Sequence, residues 1–149
     1  MHPFPHRYVC TATSEADGDV GLASPDLPTL ATAAPEEFGG PGGRWSPETL
    51  FVGSIATCFI LTFRAVAQAS KLAWLDLTCD ADATLDRVER VTQFTEVHLR
   101  AELRVPEGTD PERARSLMER AEHICLVTNS LTTDVHLDAR VVVGEAVGE

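Results

Sequence analysis

The sequence predicts an α+β fold in which antiparallel sheets surround one long apolar helix, and three observations support this. Apolar and polar residues alternate from Leu75 to Leu85, and they alternate again up to Arg104 after the turn DRVER. Residues 50–63 form the most apolar run of the chain, within a longer helical pattern. A second amphipathic helical pattern and a last alternating segment follow. The order is therefore strands, long helix, hairpin, helix and strand.

The long helix has a clear predicted start. Ser46 is a favourable N-cap, Pro47 suits the first helical position, and Glu48 lies in the first turn, where the helix dipole is positive. The pattern continues to about Ser70 or Lys71 and is apolar nearly all round. Because such a helix has no polar face to present to water, we expect it to be central and wrapped by other elements.

The alternation of apolar and polar residues also predicts which side of each later strand faces inward. The helical spacing of apolar residues predicts the inward face of the second helix. Thr109 or Asp110 is the predicted cap of that helix. The N-terminal stretches RYVCTAT and GDVGLAS are predicted to be strands. The residues expected to face inward are Leu75, Leu77, Cys79, Ala81, Ala83 and Leu85; Val97, Leu99, Ala101 and Leu103; Ala114, Leu117, Met118, Ala121 and Cys125; and Val135, Leu137, Ala139, Val141 and Val143.

Length and charge limit the function classes. The chain has 149 residues, which predicts a single domain over 1–149. Its net charge of -11 argues against nucleic acid or an anionic membrane as a partner. The longest uncharged segment, residues 49–63, is shorter than the roughly 20 residues of a spanning helix. No secretory signal is visible in MHPFPHRYVC, so a cytoplasmic location with reduced thiols is expected.

The four cysteines have different expected roles. Cys79 and Cys10 are expected to pack in strands as small apolar residues. Cys58 lies in LFVGSIATCFILTF, and Cys125 lies in EHICLVTNSL. Each is either a core residue or part of one reaction centre split across the sequence. A reactive thiol needs a nearby cation or hydrogen-bond donor, and the sequence around Cys58 supplies neither.

Other chemistries find less support in the sequence. The TNS segment after Cys125 can start a helix whose free N–H groups favour a thiolate. No CxxC is present and the five His residues show no ligand spacing, so neither a metal site nor a cofactor is expected. Ser54 lacks the nucleophile-elbow pattern of a serine hydrolase.

Two motifs together resemble the OsmC/Ohr family of osmotically inducible and organic hydroperoxide resistance proteins. WSPETLFVGSIATCF resembles the family's helix with the reactive cysteine, and HICLVTNSL resembles its second cysteine motif, C-P-V-S-N-S-L. Leu126 stands for the Pro of that motif and Thr128 for the Ser. The resemblance extends from about Arg7 to Val143. It implies an OsmC-like fold and an intertwined homodimer.

The resemblance implies a thiol peroxidase acting on organic hydroperoxides. Cys58 matches the peroxidatic cysteine, which becomes a sulfenic acid, and Cys125 matches the resolving cysteine, which forms a disulfide with it. Glu48 matches an acidic residue that orients an activating Arg. The expected region carries Glu36 and Glu37 instead of that Arg, so only Arg44 and Arg7 are available, and Arg44 is the candidate. A small dithiol or lipoyl group is the implied reductant.

Helix geometry adds a constraint on Glu48. Ten residues separate Glu48 from Cys58, which is roughly 15 Å along a straight helix. Unless the helix bends near Gly53, Glu48 is expected to serve the site of a partner subunit. Two alternatives stay open at this point: a dimeric OsmC-like protein that binds a small apolar ligand without turnover, and a protein whose thiols only pack in the core.

Overall fold

The computed structural model describes residues 1–144, which form two compact units, Met1–Phe51 and the unit that begins at Val52. The described residues contain both strands and helices, in the order of three short strands, a long helix, a hairpin, two helices and a last strand, which confirms the predicted α+β class. Val143, the last inward residue predicted, is the end of the final strand. Residues 145–149 lie outside the described residues, so the extent of one domain over 1–149 stays a prediction.

The first unit contains a small antiparallel sheet. Its strands are β1 (Thr11–Thr13), β2 (Val20–Ala23) and β3 (Leu30–Thr32), in the order β1-β2-β3. The first two lie where the sequence predicts strands. The pattern did not predict β3, because three residues are too few to show alternation. A 3-10 turn follows at Glu36–Phe38, and a parallel bridge joins Thr32 to Trp45.

The long helix α1 runs from Pro47 to Ala69, and its start is as predicted. The Ser46 hydroxyl accepts a hydrogen bond of 3.1 Å from the backbone N–H of Thr49, which satisfies one free donor of the first turn. Length and composition alone would let α1 span a membrane. Within the chain, however, α1 contributes one face to the core through Ile55, Phe59, Phe63, Val66 and Ala67.

The expectation that other elements wrap α1 is wrong for the single chain. Only 28% of its most apolar window is buried. Leu61, on the side away from the core, is 54% exposed. A helix that is apolar all round carries no signal of which face packs inside the chain, so the sequence pattern could not separate the two faces.

The second unit is built on a three-stranded sheet in the order β4-β5-β6, with β4 at Asp76–Val88, β5 at Val91–Val105 and β6 at Asp134–Val143. The predicted antiparallel hairpin is confirmed for β4 and β5. The expectation of a wholly antiparallel sheet is wrong for β5 and β6, which pair in parallel. A crossover through α2 (Pro111–Ile124) and α3 (Leu126–Asn129) returns the chain in the same direction.

The core of the second unit follows most of the predicted faces, but Leu75 and Val143, which were predicted to face inward, are exposed. On the central strand β5, the predicted inward residues are all at most 2% exposed, whereas the edge strand β4 has only half-buried inward residues. Edge strands have fewer neighbours to cover them. The buried residues of this unit are Ile55, Phe59, Phe63, Val66, Ala67, Leu72, Val97, Leu99, Ala101, Leu103, Val105, Ala114, Met118, Ala121 and Cys125.

Replacement of Asp110 by Ala is expected to lower the free energy of unfolding by about 1 kcal/mol. The Asp110 carboxylate accepts a hydrogen bond of 3.1 Å from the N–H of Glu112 at the start of α2, and Ala removes that cap. Urea unfolding of the reduced protein measures the change. Glu107→Ala, an exposed carboxylate in the same loop, is the control and should stay within about 0.5 kcal/mol. Equal losses in both variants would contradict a capping role.

Candidate active site

The fold brings Cys58 and Cys125 together. Cys58 lies in the middle of α1 and is half-buried, whereas Cys125 lies between α2 and α3 and is fully buried. Each thiol influences the pKa of the other, so the two side chains lie close together. Both thiols are free. The structure thus places the two cysteines side by side.

Local backbone geometry places Cys125 at a corner. Cys125 ends α2 and precedes α3 with an extended conformation, φ -60° and ψ 119°. Its N–H donates to the Glu122 carbonyl at 3.3 Å, and its carbonyl accepts from Asn129 at 2.9 Å. The expectation that the TNS segment starts a helix is wrong, because α3 begins before it at Leu126 and ends within it at Asn129. The corner directs the following backbone amides toward the Cys125 sulfur.

The pKa of the Cys125 thiol is lowered from its ordinary value. Burial is the largest single influence and acts to raise the pKa, because a thiolate loses solvation inside the protein. Hydrogen bonds from the Thr128 hydroxyl and N–H, from Cys58 and from the Val127 N–H outweigh burial.

The pKa of the Cys58 thiol is raised. Burial is the main cause, and the hydrogen bond and negative charge of Cys125 act in the same direction. The Val127 N–H and the Thr62 hydroxyl oppose them, with Thr62 Oγ1 lying 3.8 Å from Cys58 Sγ. The pKa values of the two neighbouring thiols are thus shifted in opposite directions.

An apolar cavity of about 580 Å³ opens beside Cys58. Three of its lining side chains are exposed apolar residues: Leu61 at 54%, Ile124 at 47% and Leu126 at 70%. None of the described residues that line the cavity carries a charge. A cavity of this size and character suits a compact apolar molecule whose reactive end reaches Cys58. The remaining lining residues are Ser54, Thr57, Thr62 and Ala65.

Glu48 and Arg44, the two other predicted site residues, lie in the first unit. The Arg44 guanidinium is bound to Asp19, with Nε and Oδ2 2.9 Å apart. Glu48 lies in the first turn of α1, and its Oε1 atom is buried without a hydrogen-bond partner among residues 1–144. Helix α1 is continuous from Pro47 to Ala69, so no break at Gly53 shortens its run between Glu48 and Cys58.

The other two thiols differ from one another. Cys79 lies on the inward side of β4, and burial raises its pKa to about 11, which is consistent with a packing role. Cys10 was expected to pack in a strand, and this is wrong. Cys10 is exposed and precedes β1, because the first strand begins only at Thr11.

Sequence reasoning missed two residues of the centre. Thr62 lies one helical turn after Cys58, and the i, i+4 spacing on a predicted helix was sufficient to find it. Thr128 was noted only as the counterpart of a Ser in a motif. Its contact with the Cys125 sulfur depends on the corner between α2 and α3, which no residue pattern specifies.

Known proteins share this arrangement of elements and motifs. The family model described as "OsmC-like protein" matches residues 40–140. The chain is 25% identical over 122 residues to the Bacillus subtilis protein YmaD, described as uncharacterized, covering 80% of this chain and 81% of that protein. It is 30% identical to an organic hydroperoxide resistance protein of Xanthomonas axonopodis pv. citri, covering 80% and 82%.

A solved structure supports the same relationship. The crystal structure of an organic hydroperoxide resistance protein OsmC from Legionella pneumophila superposes with a TM-score of 0.73 at 26% identity, covering 93% of this chain and 98% of that chain. The family model covers well over half of the sequence and includes both cysteine motifs. The chain therefore belongs to the OsmC-like protein family, some of whose members are named for organic hydroperoxide resistance.

Proposed function

We propose that the chain is a thiol peroxidase that reduces organic hydroperoxides through Cys58 and Cys125. The observation that carries this proposal is the pair of neighbouring free thiols, one of which lies at the wall of an apolar cavity. Cys58 is the sulfur that lines the cavity, so it is assigned the attack on the peroxide. Cys125 is fully buried behind it and is assigned the resolving role.

The chemistry proceeds in two oxidising steps. The Cys58 thiolate attacks a peroxide oxygen, so that an S–O bond forms, the O–O bond breaks and the alcohol leaves. Cys125 then attacks the sulfur of the Cys58 sulfenic acid, so that the S–S bond forms and the oxygen leaves as water. The peroxide gains two electrons and the two thiols become one disulfide. A small dithiol or lipoyl group then returns two electrons and reopens the disulfide.

The cavity favours an organic over an inorganic peroxide. Transfer of a cumyl or alkyl group from water to the apolar wall formed by Leu61, Ile124 and Leu126 lowers the free energy of binding. Hydrogen peroxide has no apolar surface to bury and receives no such contribution. The expected substrate is therefore a hydroperoxide of moderate size.

The proposal includes a homodimer in the cytoplasm. The exposed apolar side of α1 is consistent with cover by a second copy. In such a dimer Glu48, with its unpartnered buried oxygen, would orient Arg44 toward the thiols of the partner subunit. Arg44 would have to exchange its ion pair with Asp19 for one with Glu48. The net charge of -11 opposes partners such as nucleic acid.

A trapping experiment tests the proposal. Cys125→Ser is expected to stop at a stable sulfenic acid on Cys58 when cumene hydroperoxide is added, and dimedone should label that single residue. The wild type should instead pass to the disulfide and escape labelling. Dimedone labelling of Cys10 or Cys79, with Cys58 unmodified, would overturn the assignment of the nucleophile.

One observation favours a second candidate function. The described residues lining the cavity are all uncharged, and Arg44 is already paired with Asp19. A non-catalytic dimer that binds a small apolar ligand in this cavity, with structural thiols, fits the same features. Such a protein would bind cumyl alcohol as well as cumene hydroperoxide and would leave Cys58 reduced in the dimedone experiment.

A further inference from the structure

Two threonines of α1 line the apolar cavity, and their hydroxyls make different contacts. Thr57 Oγ1 donates to the Gly53 carbonyl at 2.7 Å, one turn back along the helix. This is a common bond of a threonine inside a helix, and it commits the hydroxyl proton to the backbone. Thr62 Oγ1 instead contacts the Cys58 sulfur, with 3.8 Å between Oγ1 and Sγ. The Thr62 hydroxyl therefore has the reacting atom of the proposed function as its partner.

Helix geometry accounts for this contact. Thr62 follows Cys58 by four residues, so the two side chains lie on one face of α1. Helical side chains lean toward the N-terminus of their helix, which places the Thr62 side chain over the turn that holds Cys58. Both residues are half-buried and line the cavity. The hydroxyl therefore lies beside the sulfur at the wall where the hydroperoxide is proposed to react.

The contact has its largest effect once Cys58 has lost its proton. In the thiol form either group is able to donate to the other. A thiolate has no proton to donate, so the Thr62 hydroxyl is then the donor. Because a hydrogen bond to a charged acceptor is stronger than one between neutral groups, the contact stabilises the thiolate more than the thiol. Burial raises the pKa of Cys58, and the Thr62 hydroxyl is among the groups that lower it.

We propose that Thr62 is a catalytic residue, whose hydroxyl donates a hydrogen bond to the Cys58 thiolate as that thiolate attacks the hydroperoxide. This inference rests on the proposed function. Thr62 adds to the cation assigned to Arg44 of the partner subunit and does not replace it. A guanidinium acts through its charge, whereas the Thr62 hydroxyl acts as a donor that is held beside the sulfur by the same helix.

Thr62 keeps its own proton throughout this step. The proton of Cys58 leaves to solvent through the open cavity, and the electron pair of the thiolate forms an S–O bond with the peroxide. The O–O bond breaks, and the departing alkoxide takes a proton from solvent to become the alcohol. The sulfur loses two electrons to the hydroperoxide, which is the oxidant. The Thr62 hydroxyl thus stabilises the nucleophile and takes part in no bond exchange.

Thr62→Val tests the inference, because it removes the hydroxyl and keeps the β-branched shape. Loss of the donor should raise the pKa of Cys58, so that less thiolate is present at pH 7. Alkylation of Cys58 by iodoacetamide, followed on its peptide by mass spectrometry, should slow by about 10-fold at pH 7, and its pH midpoint should rise by about one unit. Single-turnover oxidation by cumene hydroperoxide should slow by a similar factor. Above both midpoints Cys58 is a thiolate in either protein, so the rates should converge.

The controls isolate the donor. Among the described residues, Cys125 is the titratable group that faces Cys58, from the corner between α2 and α3, and the residues lining the cavity are uncharged. All variants are therefore made in a Cys125→Ser parent, which leaves one titrating thiol at the site. Thr62→Ser should restore the midpoint of the parent.

Thr57→Val is the matched control for the midpoint, because it removes a hydroxyl of the same helix and cavity whose proton is bound to the Gly53 carbonyl. It should leave the pH midpoint of Cys58 unchanged. Thr62→Ala removes the same donor as Thr62→Val with a residue of high helix propensity, and should shift the midpoint equally. Circular dichroism establishes that each variant is folded, and Thr62→Ala keeps the test valid if Thr62→Val fails to fold.

The outcomes distinguish this inference from the proposed function. If cumene hydroperoxide leaves wild-type Cys58 reduced, the proposed function fails. If Cys58 is oxidised, while the Thr62 variants keep the midpoint and rate of the parent, the function stands and the role of Thr62 is wrong. Rates lowered by one factor at every pH, with an unchanged midpoint, would mean that Thr62 only shapes the cavity and would overturn the inference as well.

Discussion

Replacement of Cys58 by Ser is expected to lower turnover of cumene hydroperoxide by about 10³-fold or more, because loss of the attacking nucleophile removes both oxidising steps. Cys58 is the one sulfur among those described that lines the apolar cavity, so no other thiol is placed to replace it. A coupled assay with a dithiol reductant measures the loss. Serine is nearly isosteric, and the half-buried position should accept it without loss of folding.

Cys79→Ser is the matched control for that prediction. Cys79 is also a half-buried free thiol of the second unit, but burial raises its pKa to about 11, so it is almost entirely protonated at pH 7. The variant should keep the wild-type rate. A Cys58→Ser protein that retains more than about a tenth of wild-type activity would contradict the assignment of Cys58 as nucleophile.

Replacement of Phe59 by Ala is expected to lower the free energy of unfolding by about 3–5 kcal/mol. Phe59 is 0% exposed on the inward face of α1, immediately after Cys58, and its removal leaves a cavity that rigid neighbours cannot fill. This is a large part of the roughly 5–15 kcal/mol that stabilises an ordinary domain. Urea unfolding of the reduced protein, at fixed protein concentration, measures the change.

Val88→Ala serves as the control for Phe59→Ala. Val88 is 42% exposed at the end of the β4–β5 hairpin, so its loss should cost less than about 1 kcal/mol. A loss below about 1 kcal/mol for Phe59→Ala as well would mean that the inward face of α1 does not form the core described above. The position of Cys58 against Cys125 would then lose its support.

Helix caps and strand alternation predicted much of the fold, because each is formed by residues that are close together in the sequence. The start of α1 follows from Ser46 and Pro47, and the cap of α2 follows from Asp110. Alternation identified the inward side of β5 because a strand with one buried side needs a two-residue period. These features need no knowledge of what the element packs against.

Pairing direction and helix orientation could not be predicted in the same way. An alternating strand has the same pattern whether its neighbour runs parallel or antiparallel, so the parallel pairing of β5 and β6 required the crossover to be known. The apolar surface of α1 likewise has no asymmetry that separates the buried Phe59 from the exposed Leu61. Cys10 was misplaced because the first strand begins at Thr11, four residues after the start at Arg7 that the pattern predicted.

The candidate site was predictable only in part. The resemblance of the two motifs to a known family predicted that Cys58 and Cys125 act together. The separation of the two cysteines in sequence gave no reason to expect that they lie close together. The proximity of the two thiols, and the influence of each on the pKa of the other, arise from where α1 meets the corner between α2 and α3. Such contacts join residues distant in sequence, and no local pattern encodes them.

The central claim is that Cys58 and Cys125 form one redox pair. The most direct test adds one equivalent of cumene hydroperoxide to the fully reduced protein and maps its disulfides by mass spectrometry of proteolytic peptides. The expected result is a Cys58–Cys125 disulfide within each chain, with Cys10 and Cys79 still reduced. A disulfide that involves Cys10 or Cys79, or Cys58 and Cys125 both recovered as free thiols, would contradict the claim.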